Sequence, residues 1–217
     1  LGLKTLTVIN NALLQINDFR NSIDLEPINL DDLDLDDKGV FELLQKGITT
    51  AVFQMESRGM REYLIKLKPN NFEDIIAMIA LYRPGPLEMK MVDTYIDRKN
   101  GTEKIDYSKD SEVEKILKST YGVIVYQEQV MQLAQEFSGF TLGQAGILRK
   151  AMGKKIPEVM ESQRESFIEG AQNKNKVKRV AEDLWDQIET FAGYGFNKSH
   201  SAAYALISYQ TAWLKSH

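Results

Sequence analysis

Apolar stripes at helical spacing are the feature that most limits how this chain can fold. One stripe has the i, i+3, i+4, i+7, i+8 and i+11 spacing of a buried helix face and comprises Val177, Val180, Ala181, Leu184, Trp185 and Ile188. Shorter stripes are Leu6, Ile9, Leu13 and Ile16, and Val130, Leu133, Ala134 and Phe137. Only segments 51–54 and 122–126 are typical of strands. The sequence therefore predicts a mainly α fold of about eight helices, with one or two short β-strand pieces.

Helix-capping residues agree with these stripes. Thr141 and Gln144 form a capping-box pattern, Asn71 is placed to cap the apolar run that follows it, and Pro157 suits a first helical position. Segment 83–87, Arg-Pro-Gly-Pro-Leu, is expected to be a rigid, non-helical turn with a positioning role. These signals place the predicted helix ends at particular residues.

An acidic linker at 31–37 separates the first predicted helix from the rest. The spacing of Asp34 and Asp36 resembles that of metal-binding carboxylates, but a metal pair needs a rigid strand and a third ligand. The linker lies instead just before a predicted helix, where Asp36 or Asp37 is expected to be the N-cap. We therefore interpret these acids as capping and solvated residues.

Composition excludes several classes of function. The 217 residues are 43% hydrophobic and include no cysteine, which excludes disulfides, Cys-ligated zinc and a thiol nucleophile. The longest apolar run, 75–82, is far shorter than the roughly 20 residues of a membrane span, so a soluble, cytoplasmic protein without a membrane partner is expected. With histidine only at His200 and His217, a hydrolase triad is not credible. Leu1 and the helical pattern at the C-terminus predict a piece of a longer chain.

Charge is distributed unevenly along the chain. The net charge is -4, so any polyanion site must be local. Segment 145–179 has nine basic and four acidic residues, including Arg149, Lys150, Lys154 and Lys155 within seven positions. These four cations could bind a triphosphate or adjacent backbone phosphates, or could simply interact with a helix C-terminus. Local sequence leaves both interpretations open.

Segment 191–200 combines groups that suit a nucleotide. Two glycines permit close approach of a ligand, two aromatic residues offer stacking faces, and Lys198, Ser199 and His200 add donors at a predicted helix start. The ordinary structural interpretation is a glycine C-cap followed by a serine N-cap, and it stays open. Residues 126–129 lie at the start of the predicted helix that contains Val130 and Leu133, and they are expected to have a positioning role.

Together these segments resemble one family, the catalytic alpha subunit of bacterial replicative DNA polymerase III of the DnaE type, a C-family polymerase. The resemblance covers essentially the whole chain. The matching stretches are 1–6, 51–60, 80–87, 121–131, 148–155 and 191–210.

The resemblance implies a division of the polymerase into palm, thumb and helical fingers. Residues 1–30 would be the end of the palm and a connecting helix, and 31–217 a fingers domain truncated at its C-terminus. The palm aspartates that hold Mg²⁺ would precede Leu1, so we expect the full-length protein to be a DNA-directed DNA polymerase and the isolated chain to be inactive.

The resemblance also implies roles for individual residues. Arg149 and Lys150 would bind the triphosphate of the incoming dNTP, although the family often has Arg-Arg, and Lys150 lacks a planar fork. The residues beside the sugar and base would be Tyr194, Phe196, Asn197, Lys198, Ser199 and His200. His200 would exclude a 2′-hydroxyl by occupying its space. Lys154 and Lys155 would contact the DNA backbone.

Implied partners are dNTP, template–primer DNA and, in the holoenzyme, the sliding clamp, the proofreading exonuclease and the clamp loader. Two alternatives are a non-catalytic helical interaction scaffold and the fingers of the translesion paralogue. Nucleotide kinetics would distinguish the scaffold from the polymerase.

Overall fold

The structure is a computed structural model that describes residues 3–154, 157–191 and 193–217. The described residues form twelve α-helices and two short 3₁₀ turns. Every described helix is too short or too polar to cross a lipid bilayer. The helices are α1 Lys4–Ser22, α2 Lys38–Gln45, α3 Arg58–Leu67, α4 Phe72–Leu81, α5 Pro84–Glu88, α6 Met91–Lys99, α7 Ser111–Leu117, α8 Gln127–Glu136, α9 Leu142–Lys154, α10 Pro157–Asn173, α11 Lys178–Phe191 and α12 Lys198–Ser216.

The chain forms two compact units. The first contains the residues up to Ile76 together with Ala202–His217, and the second contains Ala77–Ser201. The mainly α prediction is confirmed. All residues of the predicted triphosphate, sugar and base sites belong to the second unit.

The second unit has an aromatic and aliphatic core formed by α7 to α11. Phe167 of α10 is fully buried, and its ring centroid lies 5.9 Å from that of Phe137 and 5.4 Å from that of Trp185. The predicted stripe on α11 is confirmed, since Leu184 and Trp185 are buried. Val177 departs from it, because the residue precedes α11 and is 66% exposed.

Three predicted helix starts are confirmed. The Asp37 carboxylate accepts a hydrogen bond from the Val40 N–H at the start of α2, at 3.0 Å. Asn71 Oδ1 accepts from the Asp74 N–H at 3.0 Å, and Thr141 Oγ1 accepts from the Gln144 N–H at 3.3 Å. Each cap satisfies a backbone donor that has no partner within its own helix.

The two predicted strands are not formed. At 51–54 the chain makes a turn, with Ala51 and Gln54 in the left-handed region at φ 65° and 62°. Residues 122–126 contain only one isolated parallel bridge, from Tyr126 to Phe196. A ladder cannot develop there, because the N–H groups of Val125 and Tyr126 donate to the side chain of Gln129. The apolar residues of these segments were the reason for the wrong prediction.

Segment 83–87 also differs from its prediction. Arg83 is extended, at φ -145° and ψ 156°, but α5 begins immediately after it at Pro84. Proline has no N–H to lose at a first helical position and restricts the preceding residue to extended conformations. Arg83 is therefore the break between α4 and α5, and residues 84–86 form the first turn of α5.

The acidic linker in the first unit is fastened by Tyr209. The Tyr209 hydroxyl donates to the Asp34 carbonyl at 2.7 Å and accepts from the Asp37 N–H at 2.9 Å. Burial raises the pKa of Tyr209, so the phenol retains the proton that it donates. A hydrogen bond with Asp34 raises the pKa of Asp36.

A half-buried ion pair fixes the start of α7 in the second unit. Asp110 accepts from the N–H groups of Glu112 and Val113, at 2.9 and 3.2 Å, and from Lys176 Nζ at 2.7 Å. Burial alone would raise the pKa of Asp110, but these hydrogen bonds and the Lys176 charge outweigh it, and the pKa is lowered.

Replacing Asp110 with Ala is expected to lower the free energy of unfolding by about 1–2 kcal/mol near neutral pH, since a cap and an ion pair are lost. The Asp110 contribution is present above the unfolded-state pKa and disappears as the pH falls through the lower folded-state pKa. Urea unfolding should therefore show a smaller difference between wild type and Asp110→Ala at about pH 3 than at about pH 7. Exposed Asp18, changed to Ala, is the control; an equal Asp110→Ala effect at both pH values would contradict the assignment.

Candidate functional site

The junction before α8 is organised by one buried amide. Gln129 is 5% exposed, and its Oε1 accepts from the N–H groups of Val125 and Tyr126 at 2.9 and 3.1 Å. Its Nε2 donates to Thr120 Oγ1 at 2.8 Å. Because both ends of the amide are bonded, the backbone at 125–126 is held rigidly against the start of α8. The positioning role expected for residues 126–129 has this physical basis.

Residues 195 and 196 attach to this junction through backbone groups. The Gln127 N–H donates to the Phe196 carbonyl at 2.9 Å, and the Phe196 N–H donates to the Val125 carbonyl at 3.3 Å. Gln127 Nε2 also donates to the Gly195 carbonyl at 3.2 Å. The segment before α12 is therefore bound to the N-terminal end of α8, although the two are far apart in sequence.

The first turn of α12 is capped from two directions. Asn197 Oδ1 accepts from the His200 N–H at 2.8 Å, which is the N-cap interaction. Glu128 accepts from Asn197 Nδ2 at 2.9 Å and from the Lys198 N–H at 3.0 Å. A carboxylate is favoured at this position because a helix N-terminus carries partial positive charge. Asn197, rather than the serine expected from the ordinary structural interpretation, is the cap.

Ring contacts arrange the side chains of this turn. Lys198 Nζ lies 5.3 Å from the ring centroid of Tyr126, and the His200 ring packs edge-on against Phe196 at 5.5 Å. Ser199 and His200 are exposed, whereas Lys198 and Phe196 are half-buried. The structure thus brings together the predicted residues from Phe196 to His200 on one short segment.

Arg83 and Gly85 also belong to this arrangement. The sequence predicted a positioning role for their segment but did not relate it to residues 194–196. Arg83 Nη2 donates to the Tyr194 carbonyl and its Nε to the Ala80 carbonyl, both at 2.6 Å. The guanidinium carbon lies 4.5 Å from the centroid of Phe196. Burial lowers the pKa of Arg83. No sequence signal relates Arg83 to Tyr194, because 111 positions separate them.

Gly85 allows Tyr194 to approach closely. A Cβ atom at position 85 would overlap the Cδ1 and Cε1 atoms of the Tyr194 ring. The ring therefore packs directly on the backbone of α5, which explains the need for glycine there.

Arg149 and Lys150 lie on α9, and both are exposed. Neither side chain forms a hydrogen bond or ion pair with any described residue, so both are available to an anion. Among the described residues, no hydrogen bond, ion pair or ring contact joins residues 193–200 to either of these two cations. The side chain of Lys154 and the whole of Lys155 lie outside the described residues.

The described residues offer no metal site. They contain no group of three His, Asp or Glu side chains placed to hold a metal ion.

Comparison with known proteins establishes the family. A family described as the bacterial DNA polymerase III alpha subunit finger domain matches residues 5–175. DNA polymerase III subunit alpha of Pseudomonas aeruginosa is 56% identical over 100% of this chain and 19% of that relative. The Escherichia coli K12 and Campylobacter jejuni proteins of the same name are each 54% identical over the whole chain, and over 19% and 18% of their own lengths.

The chain belongs to the bacterial DNA polymerase III alpha subunit family and contains its finger domain. The resemblance inferred from the sequence motifs is thereby confirmed. The chain spans 19% of the length of the first two relatives, so the activity of a complete polymerase is a separate question.

Replacing Glu128 with Ala is expected to free the Lys198 N–H and weaken the first turn of α12. Loss of a charge-assisted hydrogen bond of about 1.4 kcal/mol should speed exchange of the Lys198 amide about tenfold. Hydrogen exchange measured by NMR or mass spectrometry checks this. Glu136→Ala is the matched control, since Glu136 lies on the same helix and its exposed side chain has no described partner. Equal exchange in the two variants would rule out the Glu128 contact.

Proposed function

We propose that this chain is the fingers portion of a replicative DNA-directed DNA polymerase and binds the incoming dNTP and the template–primer DNA. Family membership supports this proposal. The main structural support is the arrangement of the segment from Phe196 to His200. This segment is bound to α8 and presents a lysine and an exposed histidine on one helix turn.

Triphosphate binding is proposed for Arg149 and Lys150. Their freedom from described partners supports the proposal, because an anion would not have to displace an ion pair. α8 and α9 pack together, Val130 and Leu148 belong to the same buried core, and the connection at 137–141 is short. Short connections join antiparallel helices, so the second half of α9 is expected near the start of α8, to which segment 195–198 is bound.

Contacts with the sugar and base are proposed for Tyr194, Phe196, Asn197, Lys198, Ser199 and His200. Phe196 supports His200 through an edge-on ring contact, which would limit how far the imidazole can move. A restrained imidazole beside the sugar would exclude a 2′-hydroxyl sterically. Asn197 is proposed to act mainly through the cap that fixes the backbone of His200.

The chemical contribution of this chain is proposed to be placement and charge neutralisation. In nucleotidyl transfer, correctly positioned cations stabilise the charge on the phosphates and orient the α-phosphate for attack. The carboxylates that hold Mg²⁺ are proposed to lie in a palm outside this chain. The isolated chain is accordingly expected to bind but not to polymerise.

Contacts with the DNA backbone are proposed for Lys154 and Lys155. Such contacts would be independent of sequence and sensitive to salt. Sliding clamp, proofreading exonuclease and clamp loader are proposed partners of the complete polymerase, and the cytoplasm is its proposed location. Their docking sites are not assigned to residues of this chain.

Arg149→Ala in the full-length polymerase is expected to raise the KM for dNTP at least about tenfold, since a charged hydrogen bond to phosphate is lost. Single-turnover primer extension at varied dNTP concentration measures the change. Arg58→Ala is the control, because Arg58 is 94% exposed and its ion pair is with Glu62 on the same helix. Normal nucleotide dependence of Arg149→Ala would favour the helical scaffold interpretation.

His200→Ala is expected to reduce discrimination against ribonucleotides, because the smaller side chain opens space for a 2′-hydroxyl. The measurement is the ratio of kcat/KM for dNTP and rNTP on the same template. Since His200 is exposed, the substitution should leave the melting temperature nearly unchanged. An unaltered ratio would remove His200 from the discriminating role.

A further inference from the structure

Arg83 is an unusual half-buried arginine because its described partners are backbone carbonyls and an aromatic face. Its Nε and Nη2 donate to the carbonyls of Ala80 and Tyr194, and its guanidinium carbon lies 4.5 Å from the centroid of the Phe196 ring. Within the described residues, Arg83 forms no ion pair with a carboxylate. A guanidinium can donate two bonds and stack at the same time, which an ammonium cannot do in the same geometry.

These contacts join α4 and α5 to the predicted nucleotide-binding segment. Arg83 fixes the backbone at Tyr194, supports the ring of Phe196, and Phe196 in turn packs against His200. Gly85 contributes from the same segment, since its missing side chain leaves room for the Tyr194 ring. The Arg-Pro-Gly-Pro segment therefore contacts both Tyr194 and Phe196.

We propose that Arg83, assisted by Gly85, is a positioning residue for the nucleotide-binding segment 194–200. This inference rests on the proposed function, because it assumes that the segment contacts the incoming nucleotide. Arg83 itself does not touch the substrate; it acts through Tyr194 and Phe196. Loosening these contacts would let Lys198 and His200 move relative to the bound nucleotide, which weakens binding and sugar discrimination together.

Three variants in the full-length polymerase test the proposal. Arg83→Lys retains the charge but loses the second donor nitrogen and the planar face. Arg83→Met removes the charge, the donors and the planar face. Gly85→Ala disturbs Tyr194 without altering Arg83. Asp110→Ala is the control for general destabilisation, because Asp110 belongs to the same unit and its described contacts do not involve segment 193–200.

All three test variants are expected to raise the KM for dNTP about threefold to tenfold with a smaller change in kcat, and to reduce the dNTP-to-rNTP selectivity. Hydrogen exchange of amides 194–198 should accelerate by a similar factor. Asp110→Ala should change none of these quantities at a temperature where it is fully folded. This combined pattern is what a merely structural role would not produce.

Unchanged KM and selectivity in folded Arg83→Lys and Gly85→Ala would overturn the proposal, and so would faster exchange without any kinetic change. If Arg83→Met does not fold, the other two variants decide. The Arg149→Ala result separates the two claims. If Arg149→Ala raises the KM and the Arg83 variants do not, only the positioning role fails. If Arg149→Ala is also silent, the nucleotide-binding proposal fails as well, whatever the exchange rates at 194–198 show.

Discussion

The hydrogen bonds of the Gln129 amide are the constraint on which the candidate site depends. A buried amide must satisfy its donors and acceptor within the protein, and Gln129 does so with the N–H groups of Val125 and Tyr126 and the hydroxyl of Thr120. The backbone held in this way offers its own carbonyl to Phe196. Without the amide, the backbone to which the segment before α12 binds would not be held in place.

Charge is arranged so that an overall anionic chain can still present cations locally. Glu128 satisfies the positive end of α12 from within the protein, and the Lys198 ammonium lies against the Tyr126 ring. Arg149 and Lys150, in contrast, have no described partner. The net charge of -4 therefore says little about the site, because the relevant cations are concentrated on α9 and at the start of α12.

Sequence reasoning succeeded where the determining interactions are local. The Thr141 cap lies within one helix turn of its partner, so the pattern alone predicted it. The segment at Ala51 was wrongly predicted as a strand, because apolar residues in a partly buried turn resemble a strand when tertiary packing is unknown. The contact from Arg83 to Tyr194 could not be predicted, since it depends on how α4, α5 and the segment before α12 pack. Family resemblance identified the segments but not the contacts between them.

The bond from Arg83 to the main-chain carbonyl of Tyr194 has a consequence for natural and engineered variation. An arginine that binds a peptide oxygen is indifferent to the side chain attached to that peptide. Substitutions at position 194 whose side chains fit the space above Gly85 would therefore preserve this hydrogen bond. Insertions or deletions between 191 and 197 would shift the carbonyl out of reach, so this hydrogen bond tolerates a changed side chain at position 194 far better than a changed loop length.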